Sequence, residues 1–253
     1  GLVGSEMCIR DRSSAHPEFS YLPRKFKIAV TGAVHDRAVI RAHDIGLRLV
    51  REEGTGARGY EVSVGGGLGR TPMIGKVVRD FLPEADLLSY IEAIMRVYNL
   101  EGRRDNKYKA RVKILVHEIG LDEFKAKVEH EFSQLDGPSI NADPEEVLRI
   151  AAYFAPPTYE ILSDQDQALQ TQQTLNPQFA NWVQQNTHSH KQAGYRALTL
   201  SLKPVDGIPG DMTSDQMRAV ADLADQYSLS EIRVSHYQNL ILPHVRQKDL
   251  FAL

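Results

Sequence analysis

A long polar stretch, Ser163 to Gln192, sets limits on what this chain can fold into. It is rich in glutamine, asparagine and threonine, with Trp182 as its large apolar anchor. Such a segment has little to bury and reads as a linker with some helix, not as part of a core. The expected organisation is a main block over residues 18–160, a polar linker over 161–192 that packs poorly, and a smaller block over 193–253. The expected fold class is α+β.

Length and charge narrow the classes. The 253 residues are 42% hydrophobic and 25% charged, an ordinary globular composition able to bury a sizeable core. A net charge of −3 argues against a globally basic nucleic-acid binder and leaves only local basic patches. No apolar run approaches the roughly 20 residues of a membrane-spanning helix. Cys8 is the single cysteine, so an internal disulfide framework is excluded, as is any cluster held within the chain by several thiolates. Gly1–Arg12, GLVGSEMCIRDR, has no period and no signal-peptide apolar core. It reads as a translated sequencing adapter, set apart from the fold together with Cys8. Both ends read as cut, and RQKDLFAL starts an amphipathic helix that stops uncapped at Leu253.

In the first block, Phe26–Val30, Ile45–Val50 and Tyr60–Val64 read as strands, the last two joined by a Gly- and Glu-rich turn. Pro83 opens a helix with Leu87, Leu88, Ile91, Ile94, Met95 and Tyr98 on its buried face. A second helix is expected over Arg104–Val116, and a third from an Asp122 cap to about Phe132. A fourth starts at the Asp143–Pro144 pair. In the second block Tyr195–Leu202 reads as a strand with Leu198, Leu200 and Leu202 on one face. Thr213 and Gln216 form a capping box for a helix to Tyr227, buried through Met217, Val220, Ala221 and Ala224. Ile232–Ser235 and Leu240–Leu242 close a strand–helix–strand–strand order, half of a pseudo-symmetric α+β unit.

Four features bear on chemistry. In Leu22-Pro23-Arg24-Lys25-Phe26-Lys27, an extended chain puts Lys25 and Lys27 on one side, where two ammonium groups suit a small dianion or a cofactor's carboxylates. The bland alternative is a solvated strand end. Arg103, Arg104, Lys107, Lys109, Arg111 and Lys113 gather largely onto one side if helical, which either meets anions or forms a solvated basic face. Gly65-Gly66-Gly67 after a strand permits close approach to a planar cofactor or a phosphate, or simply makes a hairpin exit. Gln238-Asn239 sits between two strands, where amides commonly satisfy a turn. The nine histidines show no metal-ligand spacing, and His188 and His190 are expected in solvent. No GxSxG, P-loop or Cys–His nucleophile pattern is present.

The segments YLPRKFKIAV, VSVGGGLGRTP and GRRDNKYKARVKILVHEIG followed by FKAKVE, in this order, closely resemble the nitrite/sulfite reductase hemoprotein family. The block from AGYRALTLSLKP to IRVSHYQNLILP resembles that family's second ferredoxin-like half-domain. Together they cover residues 18–253. The resemblance implies siroheme coupled to a four-iron, four-sulfur cluster, and six-electron reduction of sulfite to sulfide or nitrite to ammonia in the cytoplasm. The electron donor it implies is a flavoprotein subunit or a ferredoxin, with no nucleic acid or membrane partner. Lys25 and Lys27 match the substrate-pocket lysines. Arg24, Arg104, Lys107, Arg111 and Lys113 match cations near siroheme carboxylates, Gly65, Gly66 and Gly67 a close pass by the macrocycle, and Gln238 and Asn239 the motif beside it. The cluster cysteines and the proximal ligand are expected after Leu253, and a first half-domain before Glu18. On this reading the chain is an internal fragment, inactive alone. The competing reading is a non-catalytic anion- or nucleic-acid-binding module built on a basic helix over 103–113.

Overall fold

The computed structural model describes residues 9–10, 13–135 and 143–253, so Cys8 lies outside the described residues. The chain forms two compact units, residues 1–155 and 156–253.

In the first unit a four-stranded sheet has the order β1 (Ile28–Thr31), β2 (Ile45–Arg51), β3 (Arg58–Val64), β4 (Lys76–Pro83). β1 runs parallel to β2, with Ile28 opposite Ile45, and the remaining pairs are antiparallel. The β2–β3 hairpin follows from alternation. Ile45, Leu47, Tyr60, Val62 and Val64 are fully buried, whereas Arg48, next to Leu47 and on the other face, is exposed. β4 was not expected, because Arg79 and Asp80 obscure its period; in the sheet its register with β3 breaks near Val62. Arg79 is instead anchored by a bidentate pair with Glu129, which also accepts from Tyr90 Oη at 2.8 Å.

Pro83 ends β4 and opens only a short 3₁₀ turn, Glu84–Asp86; helix α1 spans Leu87–Glu101. Its expected face is the observed one: Leu87, Ile91, Ile94, Met95 and Tyr98 are buried in the first core, and Leu88 is packed against it. Helix α2 covers only Val112–Ile119, so the expected helix over Arg104–Val116, and with it the basic helix over 103–113, is corrected. Asn106 breaks it: its carbonyl accepts from Lys109 N and its side chain from Tyr108 N, folding the stretch into turns. Helix α3 (Leu121–Gln134) begins at Gly120, φ 90°, and not at an Asp122 cap. Helix α4 (Pro144–Tyr153) has the expected cap, Asp143 accepting from Glu145 N at 3.0 Å. Ile9, from the segment set aside, is 5% exposed and belongs to the first core.

The second unit corrects the linker. Residues 161–192 contain helices α5 (Gln167–Leu175) and α6 (Pro177–Asn186), each with a side-chain cap, Asp166 and Asn176. Leu169, Phe179 and Val183 enter the second core with Leu198, Ala224, Leu242, Val245 and Leu250. The glutamines and asparagines cover the outside of these helices, and a few well-spaced apolar groups suffice within. Four strands follow in the order β5 (Thr187–Ser189), β6 (Tyr195–Leu200), β8 (Leu240–Arg246), β7 (Arg233–Val234). Helix α7 (Ser214–Tyr227) carries the expected capping box. Only Ala224 of its expected face is fully buried; Met217 and Ala221 are exposed. The last residues make one 3₁₀ turn, Gln247–Asp249, that buries Leu250.

Phe179→Ala distinguishes core from linker. Truncating a buried phenylalanine should destabilise the second unit by about 3–5 kcal/mol. Urea unfolding followed through Trp182, the single tryptophan, which stacks on Phe179, reads the loss; a linker residue would change it little.

Candidate functional site

The LPRKFK segment enters β1 in alternation. Leu22 and Phe26 pack against the first core, Phe26 with its ring 5.5 Å from Tyr98, which leaves Lys25 and Lys27 exposed on the outer side, while Arg24 is exposed in the bend that follows Pro23. None of these three side chains makes a hydrogen bond or ion pair among the described residues. Arg24 and Lys25 edge an open depression of about 370 Å³ with a mixed lining, in which Ser13, Ser14 and Ser20 lie beside Phe19, Leu22, Phe26, Ile28 and Met95.

Beneath this strip lies Asp44, a residue the motif reading passed over. Its carboxylate is fully buried and takes two hydrogen bonds from Arg111, Nε to Oδ1 at 3.1 Å and Nη2 to Oδ2 at 2.7 Å. Oδ2 also accepts from Lys27 N at 2.9 Å, and the Asp44 carbonyl accepts from Gly65 N at 3.0 Å. One residue thus ties the lysine strand, the glycine loop and the basic stretch together. Burial pushes the Asp44 carboxyl above its ordinary value, while Arg111 and Lys27 pull it back. Tyr98 makes a second tie, donating to Ala110 O at 2.8 Å and more weakly to Arg24 O at 3.4 Å; burial raises its phenol to about 12.

The expected cofactor residues divide. Lys113, 7% exposed, spends its ammonium on the carbonyls of Leu68 and Thr71, at 3.1 and 2.5 Å. Arg104 donates to Tyr21 O, Asn99 O and Asn99 Oδ1. Arg111 is held by Asp44. Lys107 stays exposed, over the Tyr108 ring. The glycines are needed by the chain itself. A Cβ at Gly66 would lie 2.1 Å from Arg41 O, and one at Gly67 would lie 3.0 Å from Lys113 Cδ. Gly65, at φ 78°, faces Val116 and edges a second depression of about 280 Å³ with Lys76, Lys113 and His117. The two basic sets meet through Asp44, yet Lys25 and Lys113 line different depressions.

In the second unit Gln238 sits in the left-handed region at φ 59° and is exposed at the β7–β8 turn. Asn239 is turned inward: its Oδ1 accepts from Lys203 Nζ at 2.6 Å and Leu202 N at 3.3 Å, and its N–H donates to Ser235 Oγ. Asn239 therefore shapes the turn, and Gln238 is the amide left facing outward. Among the described residues no group of three metal-ligating side chains occurs, and no helix is long and apolar enough to cross a membrane.

Residues 6–135 match the family model described as the nitrite and sulphite reductase 4Fe-4S domain, and residues 188–253 match the nitrite/sulfite reductase ferredoxin-like half domain. This chain belongs to the nitrite and sulphite reductase family. It is 36% identical over 143 residues to the sulfite reductase (ferredoxin) of Synechococcus elongatus, covering 53% of this chain and 23% of that one. It is 36% identical over 137 residues to the sulfite reductase (NADPH) hemoprotein beta-component of Methylorubrum populi, covering 51% and 22%. The ferredoxin–nitrite reductase of S. elongatus is 27% identical over 241 residues, covering 93% and 39%. The fold is like that of the Mycobacterium tuberculosis NirA protein, with a TM-score of 0.59 at 22% identity over 98% of this chain and 38% of that one. The family member described here thus spans well under half the length of these relatives.

Arg111→Met tests the Asp44 tie. It leaves a buried carboxylate without its cation and should destabilise the first unit by about 3 kcal/mol at neutral pH. The sign with pH is fixed. A carboxyl raised above its unfolded value is more readily protonated when native, so native stability falls as pH rises through that window. Removing Arg111 widens the window, and the deficit in urea unfolding should be smaller near about pH 4 than near about pH 7. A deficit independent of pH would contradict it.

Proposed function

We propose that this chain is part of a siroheme-dependent reductase that converts sulfite to sulfide, with nitrite to ammonia as the related activity. The observation that carries the reading is the strip Arg24, Lys25 and Lys27, cations whose side chains make no hydrogen bond or ion pair among the described residues, the first two of them edging a depression of mixed lining, in a chain of this family. Cations beside apolar side chains and hydroxyls fit a carboxylate-bearing macrocycle. Arg24 and the exposed Lys107 are residues here that would hold siroheme carboxylates; Arg104, Arg111 and Lys113 support the loops behind them. Gly65, Gly66 and Gly67 act through packing, and Gln238 offers the outward amide. When bound, siroheme would supply the iron that takes the substrate and passes it electrons.

The chain's own part in the reaction is electrostatic and protic. Reducing sulfite to sulfide takes six electrons and six protons and releases three waters. Lys25 and Lys27 would hold the oxyanion by charge and hand protons to its leaving oxygens. The residues present do not fit the iron–sulfur cluster. Such a cluster needs about four thiolates, and the chain has one cysteine. The cluster ligands would come from sequence outside this chain. The 36% identity to two sulfite reductases, each over about half of this chain, supports sulfite as the leading substrate. A ferredoxin or a flavoprotein would be the electron donor, in the cytoplasm.

Lys27→Met in the full-length enzyme tests the reading. Loss of a positioned acid should lower sulfite turnover by about 100-fold or more, with siroheme content, read from its visible absorbance, nearly unchanged. Equal losses of turnover and siroheme would move Lys27 from substrate to cofactor binding. Unchanged turnover would defeat the assignment.

A further inference from the structure

The second unit holds a titratable cluster that the reductase reading does not use. His244, 3% exposed on β8, has Nε2 at 2.9 Å from Glu231 Oε2. Its Nδ1 lies 3.3 Å from His190 Nε2 and 3.2 Å from Tyr159 Oη. His190, just after β5 and expected in solvent, is half-buried, and its Nδ1 accepts from Gln192 N at 2.8 Å.

These contacts fix the protons. Gln192 N–H donates, so His190 Nδ1 carries no hydrogen and the neutral ring is protonated at Nε2. That N–H points at His244 Nδ1, which must accept, so His244 carries its hydrogen on Nε2 and donates it to the Glu231 carboxylate. The same arrangement disfavours a metal between the imidazoles, since His190 would need a bare Nε2.

The cluster fastens the first residues of the unit, Pro156–Asp164, to the sheet. The Tyr159 ring meets the rings of His190, Tyr195 and His244, with centroids 5.2–5.5 Å away. Glu160 N donates to Tyr195 Oη at 3.1 Å, and Glu160 Oε1 accepts from Arg246 at 2.6 Å. Leu162 lies where a Cβ on Gly194 would be, and Asp164 accepts from Gly194 N and Gln247 Nε2.

We propose that His190 is a pH-responsive latch that holds the Pro156–Asp164 strap on the second sheet when neutral and releases it on gaining a proton. A proton from solvent would sit on Nδ1, facing the Gln192 N–H, donor against donor. The new charge would also meet the Arg233 guanidinium, with Glu231 already engaged by Arg233 and His244, and with Tyr159 and Tyr195 offering neutral rings. Burial holds His190 below the ordinary histidine value of 6.5; a hydrogen bond with the Gln192 backbone raises it in part, and His244 and Arg233 lower it. A histidine lowered in the native state withholds a proton that the released state takes. The closed form is therefore favoured above the ordinary value and weakens as pH falls below it.

Nitrogen-15 NMR and hydrogen exchange on the chain test this. Near about pH 7.5, His190 should be the Nε2–H tautomer; an Nδ1–H tautomer would overturn the proposal. Exchange at the Glu160 and Gly194 amides, divided by the intrinsic rate, should rise, by up to about tenfold, on going to about pH 5.5, one unit below the ordinary histidine value. His190→Asn keeps an acceptor for Gln192 but takes no proton, and should abolish that rise. An equal rise in the variant, or none in the wild type, would overturn the latch; if the variant does not fold, the wild-type tautomer and its exchange profile decide.

Discussion

The buried Asp44 carboxylate is the contact on which the first unit's functional face depends. A carboxylate without solvent is tolerated only when its lone pairs are filled and its charge is met. Here Arg111 meets the charge with a two-point pair and Lys27 N–H fills a further site. The Asp44 main chain meanwhile receives Gly65 N. Three segments distant in sequence are thereby held in one place, and the lysine strand leaves it with a fixed register. Tyr98 reinforces the arrangement from α1 by bridging Ala110 and Arg24.

That tie decides which cations can act on a ligand. Arg111 is committed to Asp44, Lys113 to two carbonyls and Arg104 to the α1 end and Tyr21, so each supports a loop. Arg24, Lys25 and Lys27 have no such internal use. The division follows from neighbours rather than from residue type, and it explains why a dense basic run in the sequence yields few outward-facing charges near the depression.

Much of the fold was legible. The β2–β3 hairpin and α1 follow from period, and the α7 capping box follows from its Thr213–Gln216 spacing. What failed did so for local reasons. The polar linker became two helices because Leu169, Phe179 and Val183 suffice to bury one side of each, despite the polar average. The basic helix failed because Asn106 offers the backbone a turn. β4 hid behind Arg79, a charge on the face that α1 and α3 cover, where it meets Tyr90 and Glu129. For the site, the lysine strand and the glycine loop were legible as motifs. Asp44 was not, since a single aspartate before a strand carries no pattern; only its burial and its partners reveal it.

The central claim is that the cations of the β1 entrance, and not the internally engaged Arg104, Arg111 and Lys113, face the anionic ligand. Titration of the chain with uroporphyrin, a porphyrin bearing eight carboxylates, measures this through its fluorescence at two salt concentrations. Arg24→Met with Lys25→Met should weaken binding and flatten its salt dependence, because fewer charges then meet the carboxylates. Arg104→Met should leave both nearly as they are. Binding that survives the double change and is lost with Arg104→Met would contradict the account.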